Sequence, residues 1–188
     1  MGDAAVKTFH TTMILMAAFL AVFCEASFPG FRRVVGAQVD LLPALMVYAA
    51  LNTGLSIVIL LAFVGGLLFD SLSANSLGIS VMPLFAVGFV ILARRELILR
   101  DQLFAQFVLG AIASAIAPAL TVLLLLSTGQ SPLLGWGSIW QWTVTTLGGG
   151  LATPIIFALF GWINHVFGYQ PVIENSFRPD REIRRGRT

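Results

Sequence analysis

Few residues in this chain are equipped for chemistry, so they come first. Asp40 and Asp70 are carboxylates set close to long apolar runs, and a charge inside a bilayer is costly unless it sits at a helix end, in water or against a partner. Asp70 stands in Gly65-Gly-Leu-Leu-Phe-Asp-Ser-Leu-Ser-Ala-Asn-Ser-Leu-Gly78, a glycine pair, a short apolar run, an acid, a small polar turn and an apolar restart. Two readings fit it: a carboxylate that fixes a tight hairpin between two membrane helices, or a plain helix end with Ser71, Ser73 and Asn75 capping the next helix. Asp40 precedes an apolar segment, where it can accept backbone N–H groups and complement the helix dipole, with Pro43 suited to the first turn. For general acid–base work paired carboxylates would normally need more polar support nearby than the sequence offers. His10 and His165 lie at opposite ends of the sequence, both expected near the inner interface, and lack partners at ligand spacing. No nucleophile elbow and no phosphate loop is present. The expectation is a protein that is not an enzyme, with no cofactor and no metal.

The elements that carry these residues are set by composition. Of 188 residues, 57% are hydrophobic and 11% charged, with mean hydropathy +0.90. Soluble domains carry about a quarter charged residues, so this chain has too little polar surface for a globule and reads as an integral membrane protein. Its basic pI reflects no nucleic-acid face. Cys24 is the single cysteine, so an internal disulfide is impossible, and its apolar surroundings suggest a buried small hydrophobe. The first apolar segment is read as a retained helix, because no clean cleavage site follows it.

The expected architecture is all-α: a polytopic bundle of six transmembrane helices, with spans at about 9–28, 41–51, 55–69, 77–93, 103–127 and 138–167. Residues 1–8 and an arginine-rich tail, 168–188, flank it. As one helix, Asp40–Asp70 would reach about 45 Å against a hydrocarbon core of about 30 Å, and Asn52-Thr53-Gly54 is a turn signal. Two short helices in a hairpin are therefore expected. Pro83 falls inside the fourth span, Pro118 is expected to kink the fifth, and Gly148–Gly150 and Pro154 interrupt the last.

Cationic residues vote on topology. With six spans and a cytoplasmic N-terminus, Lys7, Arg94, Arg95, Arg100 and the tail arginines share the inner side, leaving Arg32 and Arg33 outside. Trp136, Trp140 and Trp142 then mark the outer interface and Trp162 the inner one. The tail reads as a topogenic anchor touching anionic lipid, or as a docking strip for a cytoplasmic partner.

Gln38-Val-Asp40-Leu-Leu, Val47-Tyr-Ala-Ala-Leu51, Gly54, Gly65-Gly-Leu-Leu-Phe-Asp70-Ser-Leu-Ser73 and Leu77-Gly78 together resemble the MreD family of rod shape-determining membrane proteins. The likeness is strongest over Gln38–Arg94 and extends loosely to Thr153-Pro154. It implies a bacterial inner-membrane protein that binds a membrane-anchored MreC-like partner. With an MreB-like filament, a RodA-type glycosyltransferase and its transpeptidase, it would direct peptidoglycan synthesis and rod shape in the elongasome. It also implies a fold similar to the substrate-binding subunits of energy-coupling-factor transporters, so a vitamin-type solute-binding subunit is the alternative.

Helices in lipid associate through small residues and a few polar contacts. Gly65, Gly66, Gly78, Gly110 and Ser114, with Asp40 and Asp70, are accordingly the candidate structural or partner-binding positions. A glycine-lined face is expected to accept the partner's single membrane helix, and homo-oligomerisation is a further possibility.

Overall fold

The computed structural model describes residues 3–27, 36–73, 76–98, 102–129 and 135–166. They form six α-helices: α1 (Asp3–Ser27), α2 (Leu42–Asn52), α3 (Leu55–Leu72), α4 (Val81–Arg94), α5 (Leu103–Ser127) and α6 (Trp136–Val166). A single 3₁₀ turn, Arg95–Leu97, follows α4. The described residues contain no strand.

Asp40–Asp70 is a hairpin of two antiparallel helices. A Cβ placed on Gly65 would lie 3.2 Å from Leu42 Cδ2, and one on Gly88 of α4 would meet both Met46 of α2 and Val58 of α3. In one continuous helix Leu42 and Gly65 would be about 35 Å apart. The break falls at Thr53 and Gly54, both extended, where Thr53 N–H donates to Ala49 O and Gly54 O accepts from Ile57 and Val58.

Helix α2 is the centre of the bundle. It touches α1, α3, α4, α5 and α6, and its residues from Leu42 to Leu51 are all buried. It is apolar on every side because it meets protein on every side. The helices around it turn their large side chains outward: Phe19 and Phe23 of α1, Phe63 of α3, Val90 of α4, Leu123 of α5 and Leu151 of α6 are exposed. Such an inverted surface suits lipid, not water.

Four helices, α1 (from Thr8), α3, α5 and α6, are long and apolar enough to cross a membrane. The chain is thus an all-helical, multi-pass membrane bundle. The expectation of six spanning helices is corrected: α2 has 11 residues and α4 has 14, about 16 and 21 Å at the helical rise, short of the hydrocarbon thickness. Helix α4 starts at Val81, not Leu77, because Gly78–Ser80 is held in a turn by Asp70. Pro83 consequently lies in the first turn, where its missing N–H breaks nothing.

Two further expectations are overturned. Helix α6 runs unbroken through Gly148–Gly150 and Pro154. Its glycines are held by close neighbours: a Cβ would strike Val39 at Gly148, Ser114 at Gly149, and Phe107 and Ala111 at Gly150. Cys24 is exposed, not buried, because it lies on the outward face of α1 beside Phe23.

The helices alternate in direction, so the start of α1 and the finish of α6 lie at one end. There, Tyr48 packs against His10 (ring centroids 6.2 Å), Phe157 (5.0 Å) and Phe160 (4.3 Å). Arg95 donates to Thr53 O at 3.1 Å at this same end. Glu25, Gln38, Asp40, Ser80 and Gln141 gather at the opposite, polar end.

Candidate functional site: the polar end of the bundle

Asp70 is 2% exposed and fully engaged. Its Oδ2 accepts the N–H groups of Gly78 (2.8 Å) and Ser80 (3.1 Å), and its Oδ1 accepts Ser80 Oγ–H at 2.5 Å. Ser80 immediately precedes α4 and makes no side-chain cap of its own. Asp70 therefore caps α4 from the end of α3, satisfying backbone donors that a helix start leaves unpaired. Gly78 makes the approach possible, since its φ of +89° lies in the left-handed region.

One turn back on the same face, Gly66 clears the way: a Cβ there would lie 2.9 Å from Val81 N and Cα. Gly66 and Asp70, four residues apart, thus form one docking face for the start of α4. Of the two readings of this stretch, the structure has the hairpin lock. Ser71 and Ser73 do not cap α4, because their hydroxyls donate back to Leu68 O and Asp70 O. Asn75 lies outside the described residues.

Replacing Gly66 with Ala is expected to cost about 1–3 kcal/mol, because the obstruction is backbone and cannot turn aside. Denaturant unfolding of the purified protein measures it.

A second cluster ties the segment before α2 to α1 and α6. The Gln141 side chain reads the backbone of Gln38 in both directions, its Oε1 accepting Gln38 N–H (2.9 Å) and its Nε2 donating to Gln38 O (2.7 Å). Thr145, one turn on, also donates to Gln38 O at 2.9 Å. Gln38 Nε2 donates to Glu25 Oε1 at 2.8 Å, while Glu25 Oε2 is buried without a hydrogen-bond partner among the described residues. Asp40 Oδ1 accepts Leu42 N–H at 2.8 Å, the capping role its position suggested. Gln141→Leu would strand the Gln38 N–H and leave Gln38 O to Thr145 alone, and is expected to cost about 1–3 kcal/mol in the same unfolding measurement.

Asp40 lies in the connector, outside every helix. Burial pushes its carboxyl up to about 6, opposed by the Leu42 N–H. The folded value stands above the ordinary 3.8, so folding takes up a proton between the two values. Stability is therefore expected to rise as pH falls from 7 through 6 toward 4. Melting temperature against pH checks this, and Asp40→Asn should flatten the slope.

Between this cluster and α5 lies a cavity of about 1000 Å³. Glu25, Gln38 and Asp40 form part of its wall, and Leu84, Val122, Leu125 and Trp142 are among its apolar lining. Trp142 is tethered across the gap by donating to Ala115 O at 2.9 Å. Asp40 and Asp70 thus share one end of the bundle, but only Asp40 faces the cavity; Asp70 is not in its wall, whereas its hydrogen-bond partner Ser80 is.

The remaining candidate positions belong to internal seams. Gly65 receives Leu42, and Gly110 and Ser114 of α5 face Thr153 and Gly149 of α6. The expectation that these small residues form an open face for a partner helix is corrected, since the chain's own helices already occupy them. Glu25, Gln38, Gln141 and Thr145 were missed from sequence. Their signal was faint: polar side chains in apolar surroundings, with Gln141 and Thr145 at i, i+4. No group of three metal-binding side chains occurs among the described residues.

No family model, no curated protein and no solved structure matches this chain.

Proposed function

We propose that this chain is a non-enzymatic scaffold of the bacterial inner membrane, acting in cell-wall elongation by holding a membrane-anchored MreC-like partner. The observation that carries the reading is the engagement of Asp70. The acid at the heart of the Gln38–Arg94 resemblance spends both oxygens on Gly78 and Ser80, which is a structural role, not a reactive one. Through its partner the chain would sit with an MreB-like filament, a RodA-type glycosyltransferase and its transpeptidase. The topology that goes with this reading puts both termini in the cytosol. It is favoured by the gathering of Arg94, Arg95, the start of α1 and the finish of α6 on one side.

Because the glycine seams are filled, the partner helix belongs on an outward apolar face, such as that of Phe19 and Phe23 on α1. Site-specific crosslinking from exposed positions of α1, α5 and α6, with copurification of an MreC-like protein, tests this. Capture from one exposed face and none from Gly110 is expected; failure to copurify any such protein would reject the scaffold.

The cavity at the polar end favours a second reading, a solute-binding subunit of a vitamin-type transporter. That reading requires tight capture of a small solute and association with transporter ATPases, which the scaffold reading does not.

A further inference from the structure

The polar end has an imbalance that neither reading uses. Its strongest donors are engaged: both Gln141 amide hydrogens go to Gln38 O and Thr145 Oγ1, Thr145 Oγ–H goes to backbone, and Gln38 Nε2 goes to Glu25. Its acceptors are in surplus. Glu25 Oε2 has no partner among the described residues, and Asp40 uses one oxygen on Leu42. Among the described residues of the cavity wall every charged side chain is an acid. The rest of the wall is chiefly apolar, and about 1000 Å³ lies at the upper end of the range for small-molecule sites. A low-dielectric chamber with two acidic side chains on one wall and no base among its described lining favours a cation that brings its own donors.

We infer that the cavity binds an amphiphile whose protonated amine faces Glu25 and Asp40 and whose apolar body lies along Leu84, Val122, Leu125 and Trp142. A fatty alcohol fills the same volume but leaves the acids without a counter-charge. An anionic amphiphile is repelled. The inference stands apart from the scaffold reading, which makes no demand on the cavity.

The test uses the full chain in phosphatidylcholine nanodiscs, titrated with 11-bromoundecylamine or 11-bromoundecanol. Bromine quenches nearby tryptophan, and Trp142 stands in the cavity wall; protein-free nanodiscs correct for partitioning. The expected result is saturable quenching by the amine, at least tenfold tighter than by the alcohol. It should be reduced to the alcohol's level in Glu25→Gln and Asp40→Asn and lost as a saturable component in Trp142→Phe. Equal affinity for amine and alcohol on the unaltered protein overturns the proposal, without depending on any variant's folding. Amine selectivity that survives both acid-removing substitutions in folded protein overturns it equally.

Discussion

Asp70→Ala is expected to destabilise the folded protein by about 3–5 kcal/mol, the largest effect of any single side-chain truncation at the polar end. The substitution removes one acceptor group and strands three donors: the N–H groups of Gly78 and Ser80 and the Ser80 hydroxyl. Each buried donor left unsatisfied costs about 1–3 kcal/mol. Water entering the vacated space recovers part of that sum, which sets the upper end. The loss is not confined to hydrogen bonds, because Gly78–Ser80 loses its anchor and α4 loses its cap.

A graded series separates this lock from a general packing effect. Asp70→Asn keeps a carbonyl oxygen in place, and its amide can donate to Ser80 Oγ, so about 1–2 kcal/mol is expected. Ser80→Ala removes one bond and leaves both backbone donors satisfied, for about 1 kcal/mol. Unfolding in detergent should rank them Ala at 70, then Asn at 70, then Ala at 80. If Asp70→Ala lies within about 1 kcal/mol of the parent, Asp70 does not hold the hairpin. In the scaffold reading, recovery of the partner falls with stability along the same series, while membrane insertion is unchanged.

What the sequence made readable was local. Gly65, Gly66, Asp70 and Gly78 lie within 14 residues, and a glycine pair, an acid four residues after its second member and a glycine past the turn describe a hairpin clamp in one window. The Asn52-Thr53-Gly54 break and the Asp40 cap were legible for the same reason, since caps and turns act over two to four residues. The polar end was not, because Gln38 and Gln141 are 103 residues apart and no periodicity joins them. Helix length misled where tertiary contact overrode pattern. The apolar run from Leu77 looked like a full span, but Asp70 from the preceding helix claims its first turn. Gly148–Gly150 looked like a break, yet glycine's helix penalty of about 1 kcal/mol each is offset by the close approach of α5 to Gly149 and Gly150 and of Val39 to Gly148. Exposure on the lipid side also inverts the usual inference for Cys24, where an apolar neighbourhood marks an outward face.

That close approach leads to the second large effect. Gly110→Ala should destabilise by about 1–3 kcal/mol, despite alanine's helix propensity advantage of about 1 kcal/mol. A Cβ at Gly110 would lie 2.7 Å from both Gly149 O and Thr153 Cβ, so backbone blocks it and α5 must move off α6. Gly149→Ala meets a different obstacle, the side chain of Ser114, whose Cβ would be 2.5 Å away. The two clashes therefore differ in remedy. Ser114 is fully buried and its Oγ has no hydrogen-bond partner among the described residues, so deleting that side chain breaks none of the described bonds. The double variant Ser114→Gly with Gly149→Ala should recover most of the stability lost in Gly149→Ala alone, whereas no change at Ser114 should rescue Gly110→Ala. A coupling energy of at least 1 kcal/mol in the first pair, measured as a double-mutant cycle of unfolding free energies, is the expected signature of side chain against Cβ. Simple additivity there would mean that α5 and α6 do not meet at this seam, and would reopen it to a partner helix.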